Sequence, residues 1–315
     1  MKNARWLKFL AMVLACSNMG AKGLACIGSC HDYTDRRVIP ILPPSGGEDG
    51  GVAPSESKAV LCNVHCPNAN SCNEITIQQP NGSPILALEC QTHYNCGAGR
   101  RPVGLVNADI PEKPSVMQWF VHATHLEAAS VAAFRLLRRD LRAHGAPRAL
   151  LRQASRAARE EKRHARRMRA LAKRASVESP VPIVVSTPVP SLEEMVCHNA
   201  IEGCLRETFG AIVARYQSDH ARDAEFAVVM RRIAKEEAHH AALAHRVDAW
   251  ARKRLSPDAR RRIGLAQQMA ARDLLVESAH VLDAPTRSVL GLPDACTEAV
   301  LAKALMVALD KRTRP

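Results

Sequence analysis

The chain has 315 residues, enough for one or two domains with a sizeable core. Its formal charge of +13 favours anionic surroundings, yet aromatic residues make up only 3% of it. Basic charge without interleaved aromatics argues against nucleic-acid binding, and the abundance of Ala, Leu and Arg in the second two thirds argues against a sheet-rich fold.

Lys2, Arg5 and Lys8 surround a short apolar run ending in FLAMVLAC, the form of an export signal and too short to span a bilayer. Residues 1–25 therefore read as a signal peptide that directs the protein to the periplasm or cell envelope. Cys16 in VLAC and Cys26 in GLAC are two candidate positions for a lipid anchor.

Residues 26–113 form a Cys-rich, Pro/Gly-rich segment. Cys26, Cys30, Cys62, Cys66, Cys72, Cys90 and Cys96 lie there among Pro, Gly, Asn and Ser, with little apolar material to make a core. In an exported segment this predicts disulfides, and the cysteine spacing is a poor match to zinc sites. Spacing alone does not give the pairing. PILPPSGGEDGGVAPSES and IPEKPSV read as linkers that do not pack, whereas EITIQQPNGSPILALEC predicts a small hairpin around Asn81-Gly82.

From residue 114 the pattern becomes helical. A first helix is predicted from Val116 to about His144, where Gly145 and Pro147 punctuate the chain, and a second from Pro147 to about Ala175. SVESPVPIVVSTPVPS is too rich in Pro for helix and suits an extended crossover. Ser191 and Glu194 form a capping box that opens a third helix, lasting to about Ser218. A fourth runs from about Arg222 to Lys253, Ser256-Pro257 starts a fifth, and Asp294 caps a last short one. Short loop, long crossover, short loop is the order of one type of four-helix bundle.

REEKRHARRM at residues 159–168 and KEEAHHAALA at 235–244 repeat one core, Glu-Glu-x-x-His. On the second helix Leu150, Ala154, Ala157, Glu161, His164, Met168 and Leu171 follow at helical steps, so Glu161 and His164 interrupt an apolar stripe. Glu160 falls instead with Arg163 and Arg167, on the wet face. On the fourth helix Glu237 and His240 interrupt the stripe of Phe226, Met230, Ile233, Ala244 and Val247. The first helix adds Glu127 among Phe120, Val131, Phe134 and Leu141. The third adds Glu202 among Met195, Leu205, Phe209 and Ile212. Glu127 precedes Glu161 by 34 positions and Glu202 precedes Glu237 by 35, which favours Glu202. Glu207, only 30 before Glu237, is the competitor; it shares a face with Gly203, Cys204, Gly210 and Ala211 that suits close helix packing.

Core-facing carboxylates are costly unless paired, protonated or bound to metal. Four of them with two imidazoles suit two iron or manganese ions, and zinc alone would not call for so many acids. The alternative is a set of buried salt bridges with arginine.

EAASVAAF, EEKRHARRM, IEGCLRETFGAI and KEEAHHAALAHRVDAW make residues 115–255 resemble a group of exported bacterial ferritin-like domain proteins. That resemblance implies an all-α, ferritin-like four-helix bundle with a long crossover between helices two and three, followed by C-terminal helices. It also implies that Glu127, Glu161, His164, Glu202 or Glu207, Glu237 and His240 are metal ligands. Ala128 stands where the group has a His beside the first Glu; His125 is a substitute in reach.

Two functions follow. One is an envelope di-iron oxidoreductase that oxidises Fe(II) or a small substrate with dioxygen or peroxide. The other is a non-catalytic metal-binding or structural envelope protein with a vestigial site. Eleven arginines between Arg135 and Arg167 cover the outer faces of helices one and two, as a solvated surface or as a dock for anionic lipid or envelope polymer. Cys197 and Cys204, two helical turns apart, are too distant to bond each other within one helix and read as packing thiols.

Overall fold

The computed structural model describes residues 35–40, 71–78, 84–92, 99–106, 116–277 and 283–313. The signal peptide, the lipidation candidates, the Asn81-Gly82 turn, and Cys26, Cys30, Cys62, Cys66 and Cys96 lie outside them. Contacts divide the chain into His31–Asn95 and a unit that includes Cys96–Pro315.

His31–Asn95 contains three antiparallel strands: β1 (Asp35–Pro40), β2 (Ser71–Gln78) and β3 (Pro84–Thr92), in the order β1-β3-β2. β2 and β3 are the expected hairpin, with Gln78 opposite Pro84 and Cys72 opposite Cys90. β1 has no alternating pattern of its own and was not foreseen; it adds to the free edge of β3, pairing Val38 with Glu89.

Among its described residues, the regular structure of the second unit is helical apart from one isolated bridge, Leu105 to Val184. α1 (Val116–Ala143) stops at Gly145, whose φ of 67° allows Ala146 N to reach Leu141 O at 2.8 Å and close the helix end. Pro147 then caps α2 (Arg148–Arg174). A non-helical crossover leads to Ser191, whose hydroxyl accepts from Glu194 N while the Glu194 carboxylate accepts from Ser191 N, the predicted capping box. One continuous helical rod follows, made of α3 (Leu192–His198), a π-helical stretch (Asn199–Glu207) and α4 (Thr208–His220). α5 (Ala224–Arg252) completes the second hairpin, and α6 (Pro257–Glu277) begins as expected with Ser256 Oγ capping Ala259 N. α7 (Ala284–Leu290) was not foreseen, and α8 (Ala295–Thr313), capped by Asp294, is much longer than the short helix expected there. Its Leu301, Leu305 and Leu309 are buried in a cluster with α4 and α6, and that burial carries the extra turns. No helix among the described residues is long and apolar enough to cross a membrane.

Two apolar layers hold the four long helical segments together. Phe134, Leu141, Leu150, Ala157, Val196, Ala200, Leu243 and Val247 form one. Trp119, Phe120, Met168, Leu171, Ala214, Phe226, Met230 and Ile233 form the other. Each of α1, α2, the α3–α4 rod and α5 enters both layers, so α1 and α5 run one way and the other two run back. Residues near 127, 161, 207 and 237 fall between the layers.

Part of the Cys-rich, Pro/Gly-rich segment packs with the helices. Gly99–Val106 lies against the helices: Arg100 N donates to Ser130 Oγ at 2.9 Å, Val106 N to Ile183 O at 2.9 Å, and the Arg100 side chain is buried. The described residues 99–106 thus belong with the helical unit.

Gly203 lets the π-helical stretch approach α5, since a Cβ there would lie 2.5 Å from Ala244 Cβ and 2.8 Å from Arg100 Nη1. We expect Gly203→Ala to destabilise the fold by about 1–3 kcal/mol in urea unfolding, and Ala244→Gly on that background to restore part of the loss.

Candidate metal centre

Midway between the layers, six side chains converge from all four helical segments. One donor atom from each of Glu127 (α1), Glu161 and His164 (α2) and Glu237 (α5) lies within 4.8 Å of the others, and the same holds for Glu207, Glu237 and His240. All six are at most 2% exposed. The i, i+3 spacing in α2 and α5 sets each Glu and His on the same inward face.

Glu161 and Glu237 reach both imidazoles. His164 Nδ1 lies 3.7 Å from Glu161 Oε1 and 3.4 Å from Glu237 Oε1; His240 Nδ1 lies 2.9 Å and 3.4 Å from the same two carboxylates. Glu127 Oε2 is 3.3 Å from His164 Nδ1. These approaches lack hydrogen-bond alignment. Glu127 Oε2, both oxygens of Glu161, both of Glu207, Glu237 Oε1 and both Nδ1 atoms are buried without a hydrogen-bond partner. Buried polar atoms are nearly always satisfied, so eight orphans facing one point describe a set of donors for a cation.

The imidazoles are held from behind. His164 Nε2–H donates to Glu236 Oε2 at 2.7 Å, and His240 Nε2–H donates to Glu160 Oε2 at 3.0 Å. A carboxylate can only accept, so the proton sits on Nε2 and the Nδ1 lone pair is turned inward when the ring is neutral. Each Glu-Glu-x-x-His motif therefore uses both of its acids: the second enters the cluster and the first orients the histidine of the other motif. Glu160 is thus buried rather than on the wet face. Its arginine neighbours Arg156 and Arg163, at 2.8 and 3.7 Å, cover it instead of drawing it into solvent. Sequence reasoning missed this role for Glu160 and Glu236, although the doubling of Glu in both motifs was its signal.

Glu202 does not join the cluster. Its Oε2 accepts from Arg101 N at 3.0 Å and its Oε1 lies 3.6 Å from Arg206 Nε. Glu207 takes the place expected for it. The cause is the π-helical stretch, in which each i→i+5 turn holds one more residue than an α-turn, so a face followed in α-helical steps drifts off the true one. The Asn199 amide sits inside this stretch, donating to Ala244 O at 2.9 Å and accepting from Arg100 Nη1 at 3.3 Å. His125 turns away from the cluster and meets Pro180 O at 3.0 Å. Cys197 and Cys204 are unpaired, as read, and Cys204 is fully buried.

The electrostatics match crowded acids around two bases. Burial, with Glu161 nearby, holds the Glu127 carboxyl well above the usual carboxylate range. Burial pushes Glu207 up to about 8, although the Arg100 guanidinium pulls the other way. Burial works against charge on His164 and His240, but the surrounding carboxylates outweigh it and raise both. Burial likewise opposes ionisation of Glu161, and the two imidazoles overcome it and lower its carboxyl. Without metal, the cluster holds protons in the cations' place.

Comparison with family models, with curated proteins and with solved structures returned no match. The site is therefore argued from its own atoms. Its buried carboxylates and imidazoles can hold a metal ion.

A pH dependence follows. Glu207 keeps its proton to about 8 in the folded, metal-free chain, against an ordinary value of 4.5 when unfolded. Between those values the folded state binds more protons, so stability falls as pH rises across the interval, and raised His164 and His240 add the same sign above their ordinary 6.5. We expect the urea midpoint of the chelated chain to drop between about pH 5 and 8, and Glu207→Gln to flatten that slope.

Proposed function

We propose that the helical unit is a ferritin-like four-helix bundle whose central cluster binds two iron ions, with manganese as the alternative. The observation that carries this reading is the set of eight orphaned donor atoms, with both imidazoles oriented from outside by Glu236 and Glu160. Glu161 and Glu237, which reach both histidines, would hold the ions together with Glu127, Glu207, His164 and His240. Iron supplies, when bound, one-electron chemistry with dioxygen or peroxide.

The chain's own residues set the limits of that chemistry. Apolar layers on both sides exclude bulk water, and six side chains at 2% exposure or less leave access only to small species such as dioxygen, peroxide or Fe(II). Glu236 and Glu160 keep the Nε2 protons of the histidines in place, so both Nδ1 atoms stay available as ligands. The function we infer is oxidation of Fe(II) or a small substrate in the cell envelope. The basic start and short apolar run of residues 1–25 support export. The close enclosure of the cluster favours a second reading, in which the metals only brace the fold.

Anaerobic loading with Fe(II) followed by elemental analysis tests the site. We expect about two irons per chain, near-complete loss in Glu161→Ala and in Glu237→Ala, loss of about one in Glu207→Ala and no change in Glu202→Ala. Oxygen uptake by the loaded chain supports oxidation. Two irons with no uptake, and a melting point that falls on chelation, would move the conclusion to the bracing role.

A further inference from the structure

We propose that the outer groove between α2 and α5 binds a small, multiply charged oxyanion of the phosphate class. The groove encloses about 390 Å³ and is lined by Arg156 of α2 and by Arg231, Arg232, Lys235, Glu236 and His239 of α5. Arg163 reaches Glu236 at 3.1 Å and belongs to a second hollow of about 270 Å³ with Arg166 and Arg167, so the positive lining continues along α2.

Four cations line the groove and three more the second hollow, and the carboxylates paired with any of them are Glu160 and Glu236. Each of those has its Oε2 bound to a histidine. The remaining Glu160 Oε1 serves Arg156 and Arg163, and the remaining Glu236 Oε1 serves Arg163 and Arg232 at 3.1 and 3.6 Å. Among the described residues, Arg166, Arg167, Arg231 and Lys235 form no ion pair. His239 Nδ1 in the groove, and Arg163 Nε and Arg167 Nη1 in the second hollow, are moreover buried without a hydrogen-bond partner. Crowded like charges with unused donors cost free energy that a bound anion removes.

The geometry selects the ligand's shape. Arg156 stands on one wall and Arg231, Arg232 and Lys235 on the other, so the occupant must offer oxygens in several directions. A tetrahedral phosphoryl group does so and accepts the guanidinium fork in two-bond fashion; a single planar carboxylate serves one wall only. The site needs no metal in the interior and stands apart from the reading of the central cluster.

Calorimetric titration of the chelator-treated full chain with sodium pyrophosphate, at about physiological salt, tests it. We expect one site per chain. Arg231→Gln with Lys235→Gln, both exposed, should weaken binding roughly tenfold or more, while the exposed α1 pair Arg135→Gln with Arg138→Gln should change it less than about twofold. No binding of pyrophosphate would overturn the proposal. Equal weakening by the two pairs would overturn it as well, showing a diffuse basic surface of the kind that attracts membranes or polymers. Circular dichroism of each variant separates loss of binding from loss of fold.

Discussion

Four glutamates and two histidines are buried at one level of a helical assembly, and the surrounding structure is arranged around the cost of that burial. Apolar side chains close the level from both ends. Without cations, the acids stay tolerable by keeping protons and by surrounding two charged imidazoles. The bases are in turn pinned by Glu160 and Glu236, and those by Arg156, Arg163 and Arg232. Charge therefore alternates outward in shells, from carboxylate to imidazole to carboxylate to guanidinium. The arginine-rich surface of α2 and α5 is the outermost of these shells.

Much of this was legible in the sequence because α1, α2 and α5 are regular. Glu127, Glu161, His164, Glu237 and His240 could be placed by counting in steps of 3.6, and the ends at Gly145 and Ser191 by local chemistry that acts over a few residues. The third helical rod broke the count. Its inward line passes through Ala200, Glu207 and Ala214, small residues on either side of the acid, and Gly203 beside them packs closely on Ala244. The face that was read as made for close packing was thus also the face of the site.

Other features were illegible for a different reason. Glu160 and Glu236 each follow a basic residue in sequence, and only the partner helix shows that their far oxygens are committed to histidines. Arg100 is separated from Ser130 by 30 positions and from Asn199 by 99, and nothing local marks it as a buried cation. β1 and α8 owe their form to what they pair with, the central strand β3 and an apolar cluster, rather than to pattern. Local rules reach as far as the next turn, and these features depend on chain segments far beyond it.

The exchange of carboxylates between the two Glu-Glu-x-x-His motifs has a kinetic consequence. His164 takes its support from Glu236, 72 positions away, and His240 from Glu160, 80 positions away. Neither hairpin can aim its own imidazole while it folds by itself. The complete donor set is assembled only when the hairpins dock, so two distant loops must close before it forms.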